Sequence, residues 1–343
     1  MKEKFPGYEG LTSDEERALW NSKDTLFVLD LRFLLSLFVM EGKCAHELIK
    51  ILKGGFFKNK IWEPYDVCMG YYTFRDKVIQ NQQDNINRGL KVISEFYKTV
   101  SAKKAYPYLP EECIKAIYAD IIQPLQEIAN QTVCFKESDA IKEEIDDLVN
   151  RDMIGNPFNK AELDELCKRA EERTSNKSFP DSLLSGNSEK RFTYHDFVVW
   201  EEMILYANTY RKNIVMLRGT TDDNWFVHKE DNITTSPSLG GEFCELTRER
   251  TEKFQRFQCY GIKEFIEVAK KLNIISECSD DLKSQLDRGV MNPMPFYMSI
   301  KRTSDEERKE DDLDNLDEAG NNDDKSLNIS YSYPEFHTDT TTI

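Results

Sequence analysis

The sequence lacks any stretch that could cross a membrane or direct secretion. Among its 343 residues, no run of uncharged apolar residues reaches the length of about 18 that a membrane-spanning helix needs. The most apolar stretch, residues 25–40, is interrupted by Asp30 and Arg32. The first residues, Met1 to Gly7, lack the apolar core of a signal peptide. These absences predict a cytoplasmic protein without a membrane partner.

Closely spaced metal ligands of the zinc-finger type are also missing. The eight cysteines include no Cys-x-x-Cys pair, and the four histidines are scattered. A structural zinc site uses ligands in such pairs, so this class of protein is disfavoured. Dispersed cysteines in a chain without a secretion signal are typical of reduced thiols in a cytoplasm.

Signatures of nucleotide binding and of serine hydrolases are absent. There is no Gly-x-Gly-x-x-Gly loop and no phosphate-binding Gly-x4-Gly-Lys-Ser/Thr loop, which disfavours a dehydrogenase or an NTPase. A Gly-x-Ser-x-Gly turn is missing as well, which weakens a hydrolase triad.

Basic residues are scarce relative to acids. Lys and Arg number 46 against 62 Asp and Glu, giving a net charge of −16. Eleven acids and two bases lie in residues 305–324, so more than half of the excess sits in one short segment. We therefore predict that residues 279–343 form an acidic, largely disordered tail. The alternative is that the tail fills a basic groove, on a partner or on this protein, as a nucleic-acid mimic.

Short β-forming stretches alternate with helical patterns along the chain. The predicted strands are residues 25–30, 60–62, 214–217 and 257–260. Helices are predicted from Ser13, over residues 44–52 and 66–101, through most of 110–173, and over 197–207, 245–254 and 262–272. This alternation predicts an α/β fold with a parallel sheet and right-handed crossovers.

Acidic residues lie at the strand ends, where parallel sheets bind their ligands. Asp30 ends the first strand, Asp222-Asp223 follows the third, and Asp196 begins the helix before it. Carboxylates gathered there can hold Mg²⁺ or Mn²⁺, and a pair of such ions commonly cleaves phosphodiesters. An Asp at a strand end also serves as a helix cap or turn former, so both interpretations stay open.

Five separated segments carry motifs in a recognisable order. They are Asp24-Thr-Leu-Phe-Val-Leu-Asp30 with the leucines after it, Ile61-Trp-Glu-Pro64-Tyr-Asp-Val67, Tyr194-His-Asp196-Phe-Val-Val-Trp200, Asn224-Trp225, and residues 254–269. Together they resemble the bacterial PIN-like domain family, a long variant of the PIN nuclease fold. The resemblance implies a three-layer fold with a mainly parallel central sheet. It places the PIN-like domain in residues 1–278, with a helical insertion near 101–188.

Proteins of this fold typically cut RNA with three or four acids around Mg²⁺ or Mn²⁺, and the resemblance implies such a site here only in part. Asp30 matches the first acid and Asp196 the third. The helix-borne Glu falls on Gly70, and the Asp-Asp loop falls on Gly219-Thr220. The Gly before the third acid is His195, which is a weak metal candidate without a second histidine nearby.

Arg32 replaces the polar Asn that follows the first acid of the family by two residues. Residues two apart in a strand face the same way, so Arg32 lies beside Asp30 if the strand continues that far. A guanidinium about 5 Å from Mg²⁺ costs roughly 6 to 7 kcal/mol at an effective dielectric near 20. A salt bridge to Asp30 would also occupy the lone pairs that a metal needs.

A shifted acidic site is the alternative to a lost one. Asp66 lies four residues before Gly70, hence on the same helix face, and Asp222 lies two residues beyond the lost loop acid. Asp30, Asp66, Asp196 and Asp222 would then be the catalytic acids, with Asp30, Asp196 and Asp222 as metal ligands. The competing interpretation of Asp66 is a helix cap after Pro64.

Two hypotheses about function follow. The first is a degenerate member, a pseudo-nuclease that acts by binding RNA or a partner protein; the resemblance implies bacterial toxin or phage-defence settings. The second is an active Mg²⁺- or Mn²⁺-dependent endoribonuclease with rearranged acids. A basic protein partner for the acidic tail and a homo-oligomer are further alternatives.

Overall fold

The computed structural model describes residues 5–101, 110–131, 135–149, 151–176, 190–229, 232–248 and 254–289. A parallel sheet contains β1 (Thr25–Leu29), β2 (Asn213–Arg218) and β5 (Phe257–Gly261), in the order β1-β2-β5. An antiparallel pair contains β3 (Phe226–Lys229) and β4 (Asn232–Thr235). The predicted α/β fold with a parallel sheet is confirmed, whereas the antiparallel pair was not predicted.

The central strand of the parallel sheet is β2. Leu217 pairs with Leu29 of β1, and Met216 pairs with Cys259 of β5. Every residue of β1 is buried, and so is every residue of β2 after Asn213. Continuous apolar runs are typical of parallel strands that are covered on both faces.

The predicted second strand, residues 60–62, forms only an isolated parallel bridge. Phe27 N donates to Lys60 O at 2.7 Å, and Trp62 N donates to Phe27 O at 3.0 Å. Ile61 thereby pairs with Phe27 on the edge of β1 away from β2. Pro64 follows and has no amide hydrogen to continue a ladder, so the pairing stops there.

Helices cover most of the remaining described chain. They are α1 (Ser13–Asn21), α2 (Leu31–Ser36), α3 (Gly42–Leu52), α4 (Tyr65–Ser101), α5 (Glu111–Ile117), α6 (Gln123–Gln131), α7 (Phe135–Leu148), α8 (Lys160–Ser175), α9 (Lys190–Thr193), α10 (His195–Tyr210), α11 (Pro237–Leu246), α12 (Ile262–Lys271) and α13 (Asp280–Arg288). The described part of the predicted insertion, which holds α5 to α8, is therefore helical. Within the described ranges, none of these helices combines the length and apolar character that crossing a membrane requires.

Two aromatic clusters cover opposite faces of the sheet. On one face, Trp20 packs against Phe27 at 5.1 Å and against Tyr260 at 5.7 Å between ring centroids. On the other face, Phe257 packs against Trp200 at 5.0 Å. Strand side chains alternate, so Phe257 and Tyr260, three residues apart, point to opposite sides. The sheet thus has apolar packing on both faces, as a three-layer fold requires.

Two predicted helix positions differ from the structure. The helix predicted over residues 245–254 lies earlier, as α11, because Ser236 precedes a proline that fits the first helical turn. The first helix is capped by Thr12 rather than Ser13: Thr12 accepts from Glu15 N, and the Glu15 carboxylate accepts from Thr12 N. This capping box has the predicted form, shifted by one residue.

The start of the predicted acidic tail is helical. Ser279 caps α13 by accepting from Leu282 N at 3.1 Å, and Leu282 is fully buried. Ser279 N also donates to the Glu47 carboxylate of α3 at 2.8 Å. The tail therefore does not begin at residue 279, because an amphipathic turn there packs on the core. The rest of the predicted tail, from residue 290, lies outside the described residues.

The outer edge of β5 is partly closed by a side chain. Cys259 N donates to Thr235 Oγ1 at 2.8 Å, and Thr235 Oγ1 donates to Cys259 O at 3.0 Å. One hydroxyl from β4 thus satisfies both outward backbone groups of Cys259. The hydroxyl takes the place of a neighbouring strand at this residue.

Candidate functional site

The candidate site lies at the carboxyl ends of β1 and β2. The first strand ends at Leu29, and Asp30 begins α2 instead of extending the strand. Asp30 N donates to Leu217 O at 2.9 Å, while the Asp30 carboxylate accepts from Arg32 N at 3.2 Å. Asp30 is therefore a helix cap as well as the acid at the strand end. The strand does not continue as far as Arg32, so the condition for placing Arg32 beside Asp30 in a strand is not met, and Arg32 lies on a helix.

Arg218, the last residue of β2, lies at the centre of the site. Its side chain is fully buried, and Nη1 lies 3.6 Å from Asp30 Oδ1. Nη2 lies 3.4 Å from Asp196 Oδ2 and 3.2 Å from Asp222 Oδ2. One guanidinium thus gathers three of the four acids that the sequence predicted.

Arg32 also reaches the site, from α2. Its Nη1 donates to both carboxylate oxygens of Asp196, at 3.0 and 2.9 Å. Trp225 Nε1 donates to Asp196 Oδ2 at 3.1 Å. Asp196, which lies in the first turn of α10, therefore accepts hydrogen bonds from Arg32, Arg218 and Trp225. These bonds occupy the lone pairs that a metal ion would use.

Burial and the two arginines shift the pKa values of the buried acids in opposite directions. Burial raises the pKa of Asp30, although the charges of Arg218 and Arg32 oppose this rise. Burial would raise the pKa of Asp196 too, but Arg32 and Arg218 together hold that pKa well below its usual value. Asp196 is therefore held in its ionised form. The carboxylates in turn raise the pKa of Arg218 against the effect of its own burial.

The positions of the missing acids are occupied by close packing. A Cβ at Gly70 would lie 2.7 and 3.2 Å from the Leu31 Cδ atoms and 3.4 Å from His195 Cε1. A Cβ at Gly219 would collide with the backbone of Arg32. Thr220 instead donates its hydroxyl to Asp222 Oδ2 at 3.0 Å. The loop thus orients an acid two residues after the position where the family has one.

The buried His195 is not placed as a metal ligand. Its ring is almost fully buried, and neither ring nitrogen has a hydrogen-bond partner. Burial lowers its pKa to about 4, despite the opposing charge of Asp196. The ring is therefore neutral at physiological pH and helps to fill the space beside Gly70.

Asp66 lies in a second buried cluster rather than with the other three acids. Its carboxylate forms a salt bridge with Arg191 of α9, and its backbone N donates to Glu202 Oε2 of α10 at 3.1 Å. The structure therefore brings together three of the four predicted acids and leaves Asp66 apart from them. The physical reason is that α9 places a cation directly against the first turn of α4, where Asp66 lies.

The donor set does not fit Mg²⁺ or Mn²⁺ in this arrangement. Asp30, Asp196 and Asp222 face one another across the Arg218 guanidinium, which lies where an ion would have to bind. In the part of the chain that the structure describes, no group of three or more His, Cys, Asp or Glu side chains is arranged to hold a metal ion. The charges of Arg218 and Arg32 also offset those of the acids, which weakens the attraction of the site for a divalent cation.

The signal that sequence reasoning missed is the base at the end of β2. Arg218 directly follows the buried run Ile214 to Leu217, in the same kind of position at a strand end as Asp30. An arginine at the same sheet edge as Asp30 predicts a buried ion pair, by the same logic that brought the acids together.

A comparison with family models gives a match described as PIN like domain, over residues 26–239. The chain belongs to the PIN-like domain family. The match begins in β1 and includes Asp30, Asp196, Arg218 and Asp222, so the arginine-filled centre lies within the PIN-like region. Searches of curated proteins and of solved structures each give no match. Membership places the chain in the nuclease superfamily.

Proposed function

We propose that this PIN-like domain is a pseudo-nuclease that acts by binding RNA or a partner protein. The observation that carries the proposal is the position of the Arg218 guanidinium, within 3.6 Å of Asp30 and closer to Asp196 and Asp222. Arg218 supplies from within the chain the positive charge that metal ions supply in an active relative. It cannot also activate water as a metal does, because a guanidinium stays protonated.

Arg218 cannot easily make way for an ion. The side chain is fully buried, and its guanidinium lies 4.5 Å from the centroid of the Trp225 ring. Moving it would leave buried carboxylates without a partner, which costs about 3 to 5 kcal/mol for a broken buried pair. Arg32 would have to release Asp196 as well. The two arginines therefore support a site that is closed to divalent ions.

Because the centre around Arg218 is closed, we expect RNA or a partner protein to bind at another surface of the domain. Both guanidiniums face carboxylates, so neither is oriented to hold a phosphate in the pocket. RNA, if bound, would contact the protein outside the former cleavage centre and without a metal bridge. RNA binding that is unaffected by EDTA is consequently an expectation of this proposal.

A metal titration tests the proposal. We expect MnCl₂ and MgCl₂ to leave the thermal midpoint of the full chain unchanged, and labelled RNA to stay intact. The Asp30→Asn and Asp196→Asn variants serve as site controls. A metal-dependent rise in the midpoint that both variants lose, together with RNA cleavage that both abolish, would establish the active endoribonuclease instead.

The ligand class needs a separate measurement. Fluorescence anisotropy with a labelled single-stranded RNA in EDTA, over a series of salt concentrations, detects RNA binding and its electrostatic share. Binding that weakens with salt supports an RNA ligand. No RNA binding at low salt leaves the partner protein, which crosslinking in cells followed by purification of the full chain would identify.

A further inference from the structure

A small cavity lies on the side of the second buried cluster. Its volume is about 200 Å³, and it is formed by Trp62, by the segment around Gly155 and Phe158, and by the C-terminal half of α10. The α10 residues that line it include Glu202, Tyr206 and Tyr210. The cavity is distinct from the centre around Arg218, whose acids do not line it.

The walls of the cavity are aromatic. Trp62 and Tyr206 stack at 4.0 Å between ring centroids, with an angle of 30° between the rings. Tyr206 in turn packs against Tyr210, with 4.4 Å between the ring centroids. Trp62 is almost fully buried, whereas Tyr210 is 55% exposed, so the aromatic series runs from the interior to solvent. The aromatic rings thus continue from the buried wall of the cavity to its rim.

Glu202 contributes a buried carboxyl group to this aromatic surface. The residue is only 5% exposed. Its Oε2 accepts from Asp66 N at 3.1 Å, but its Oε1 has no hydrogen-bond partner. A buried polar atom without a partner is costly, and such atoms in native proteins call for an explanation such as a ligand.

The charge of an ionised Glu202 is not balanced within the protein. The nearby cation is Arg191, which forms its salt bridge with Asp66. The backbone of Tyr65 hydrogen-bonds to the Glu202 carboxyl and Cys68 of α4 faces it, and neither group supplies a positive charge. Two buried acids thus share one arginine. A further cation at Oε1 would complete the pairing.

We propose that this cavity binds an organic cation, with Glu202 as its counter-ion and the aromatic rings as its walls. The ligand class is an ammonium or guanidinium group on a short apolar chain. None of the residues that line the cavity is basic. Aromatic faces attract cations, and a carboxylate among the lining residues adds a charged hydrogen-bond acceptor. The volume suits a ligand of about ten heavy atoms or fewer, which is smaller than a drug-sized molecule.

The protonation of Glu202 is consistent with a missing cation. Burial raises its pKa to about 8, although Arg191 opposes the rise. A bound cation favours the ionised carboxylate, so binding releases a proton wherever the empty site is protonated. Affinity should therefore increase as pH rises through about 8 and level off above it.

Calorimetry with n-butylguanidinium and its neutral isostere n-butylurea tests the site. For a fragment of this size we expect a Kd on the order of 1 mM for the cation at pH 8.5. Glu202→Gln should weaken binding of the cation at least about tenfold, the effect of losing one charged partner. The matched control is Glu201→Gln, because Glu201 is the neighbouring acid but pairs with Arg169 at 2.6 Å and does not line the cavity.

The outcomes separate clearly. Tighter binding of n-butylguanidinium than of n-butylurea, lost in Glu202→Gln and kept in Glu201→Gln, supports the proposal. Equal binding of both compounds, equal binding by wild type and Glu202→Gln, or no heat from the wild type would overturn it. n-Butylammonium in a parallel titration distinguishes an ammonium from a guanidinium group as the preferred cation. The outcome does not depend on whether the domain cleaves RNA.

Discussion

Arg218 Nη1 lies 3.6 Å from Asp30 Oδ1, with both residues at the carboxyl ends of neighbouring parallel strands. Asp30 N donates to Leu217 O, the carbonyl just before Arg218. This bond holds Asp30 and Arg218 at the same level of the sheet. Their side chains meet for the same topological reason that brings catalytic acids together in this fold. Here one of the residues that meet at the strand ends, Arg218, carries a positive charge.

Replacing Arg218 by methionine should destabilise the fold strongly. The variant leaves Asp30 and Asp196 buried without their shared cation, and we expect a loss of about 3 to 5 kcal/mol in the free energy of unfolding at pH 7. Urea denaturation measures it. The difference in the free energy of unfolding between the wild type and the variant should become smaller as pH falls, because the carboxyl groups left without a cation can then take up protons.

Arg169→Met is the matched control for that measurement. Arg169 also pairs with a carboxylate, but its side chain is 48% exposed. We expect a change below about 1 kcal/mol, as for exposed ion pairs generally. We further expect MnCl₂ to stabilise Arg218→Met more than the wild type, since the variant lacks the cation that lies between the three acids and keeps only Arg32 as a competitor. A similar response of both proteins would show that Arg218 does not exclude metals.

Glu202→Gln should make stability less dependent on pH. The ordinary pKa of Glu202 is 4.5, and burial raises it to about 8 in the folded protein. The folded state then holds the proton more tightly than the unfolded state, so this group's contribution is present below about pH 4.5 and lost as pH rises through about 8. We expect the wild type to lose up to a few kcal/mol relative to the variant over this range. Parallel stability curves of the two proteins would contradict the assignment.

Gly70→Glu should destabilise the domain although it restores a residue type of the family. Its Cβ would lie 2.7 Å from Leu31 Cδ2, a distance that requires the leucine to move. Overpacking of this kind costs about 1 to 3 kcal/mol. Combining Gly70→Glu with Leu31→Ala makes room, so the double variant should lose less than the sum of the single variants. Simple additivity in a double-mutant cycle would show that Leu31 is not the obstacle.

Trp225→Phe should cost more than Trp200→Phe. Both indoles donate to a carboxylate, Trp225 to the buried Asp196 at 3.1 Å and Trp200 to the Glu242 carboxylate at 3.2 Å. Glu242 is 26% exposed and can turn to water when its donor is lost. We expect a loss of about 1.5 to 3 kcal/mol for Trp225→Phe, as for hydrogen bonds to charged groups, and a smaller loss for Trp200→Phe. Thermal unfolding at pH 7 compares them, and the reverse order would contradict the importance of the Asp196 bond.

The sequence predicts the parallel sheet well because its strands are continuous apolar runs. Residues 25–29 and 214–217 need no neighbours to be recognised as buried strands. The antiparallel pair of β3 and β4 is not predicted, because each strand has only four residues and no apolar alternation. Residues 60–62 have the composition of a strand, but Pro64 limits them to a bridge.

The candidate site could be predicted only in part. Asp30, Asp196 and Asp222 were expected to meet, and they do so around Arg218. Helical spacing predicted that Asp66 would join them. Such spacing shows which face of a helix a residue lies on, but not which other elements pack against that face. Its partner Arg191 comes from a helix of four residues, and no local pattern links the two. Such pairings are set by tertiary packing alone.

The Thr235 hydroxyl at the edge of β5 has a consequence for how the protein behaves at high concentration. An exposed strand edge is a template on which a second chain can form a cross-strand ladder, and this is a common start of aggregation. Thr235 already uses the outward amide and carbonyl of Cys259. An incoming strand would have to break both bonds to align there. This single hydroxyl thus protects the middle of β5 against intermolecular strand addition.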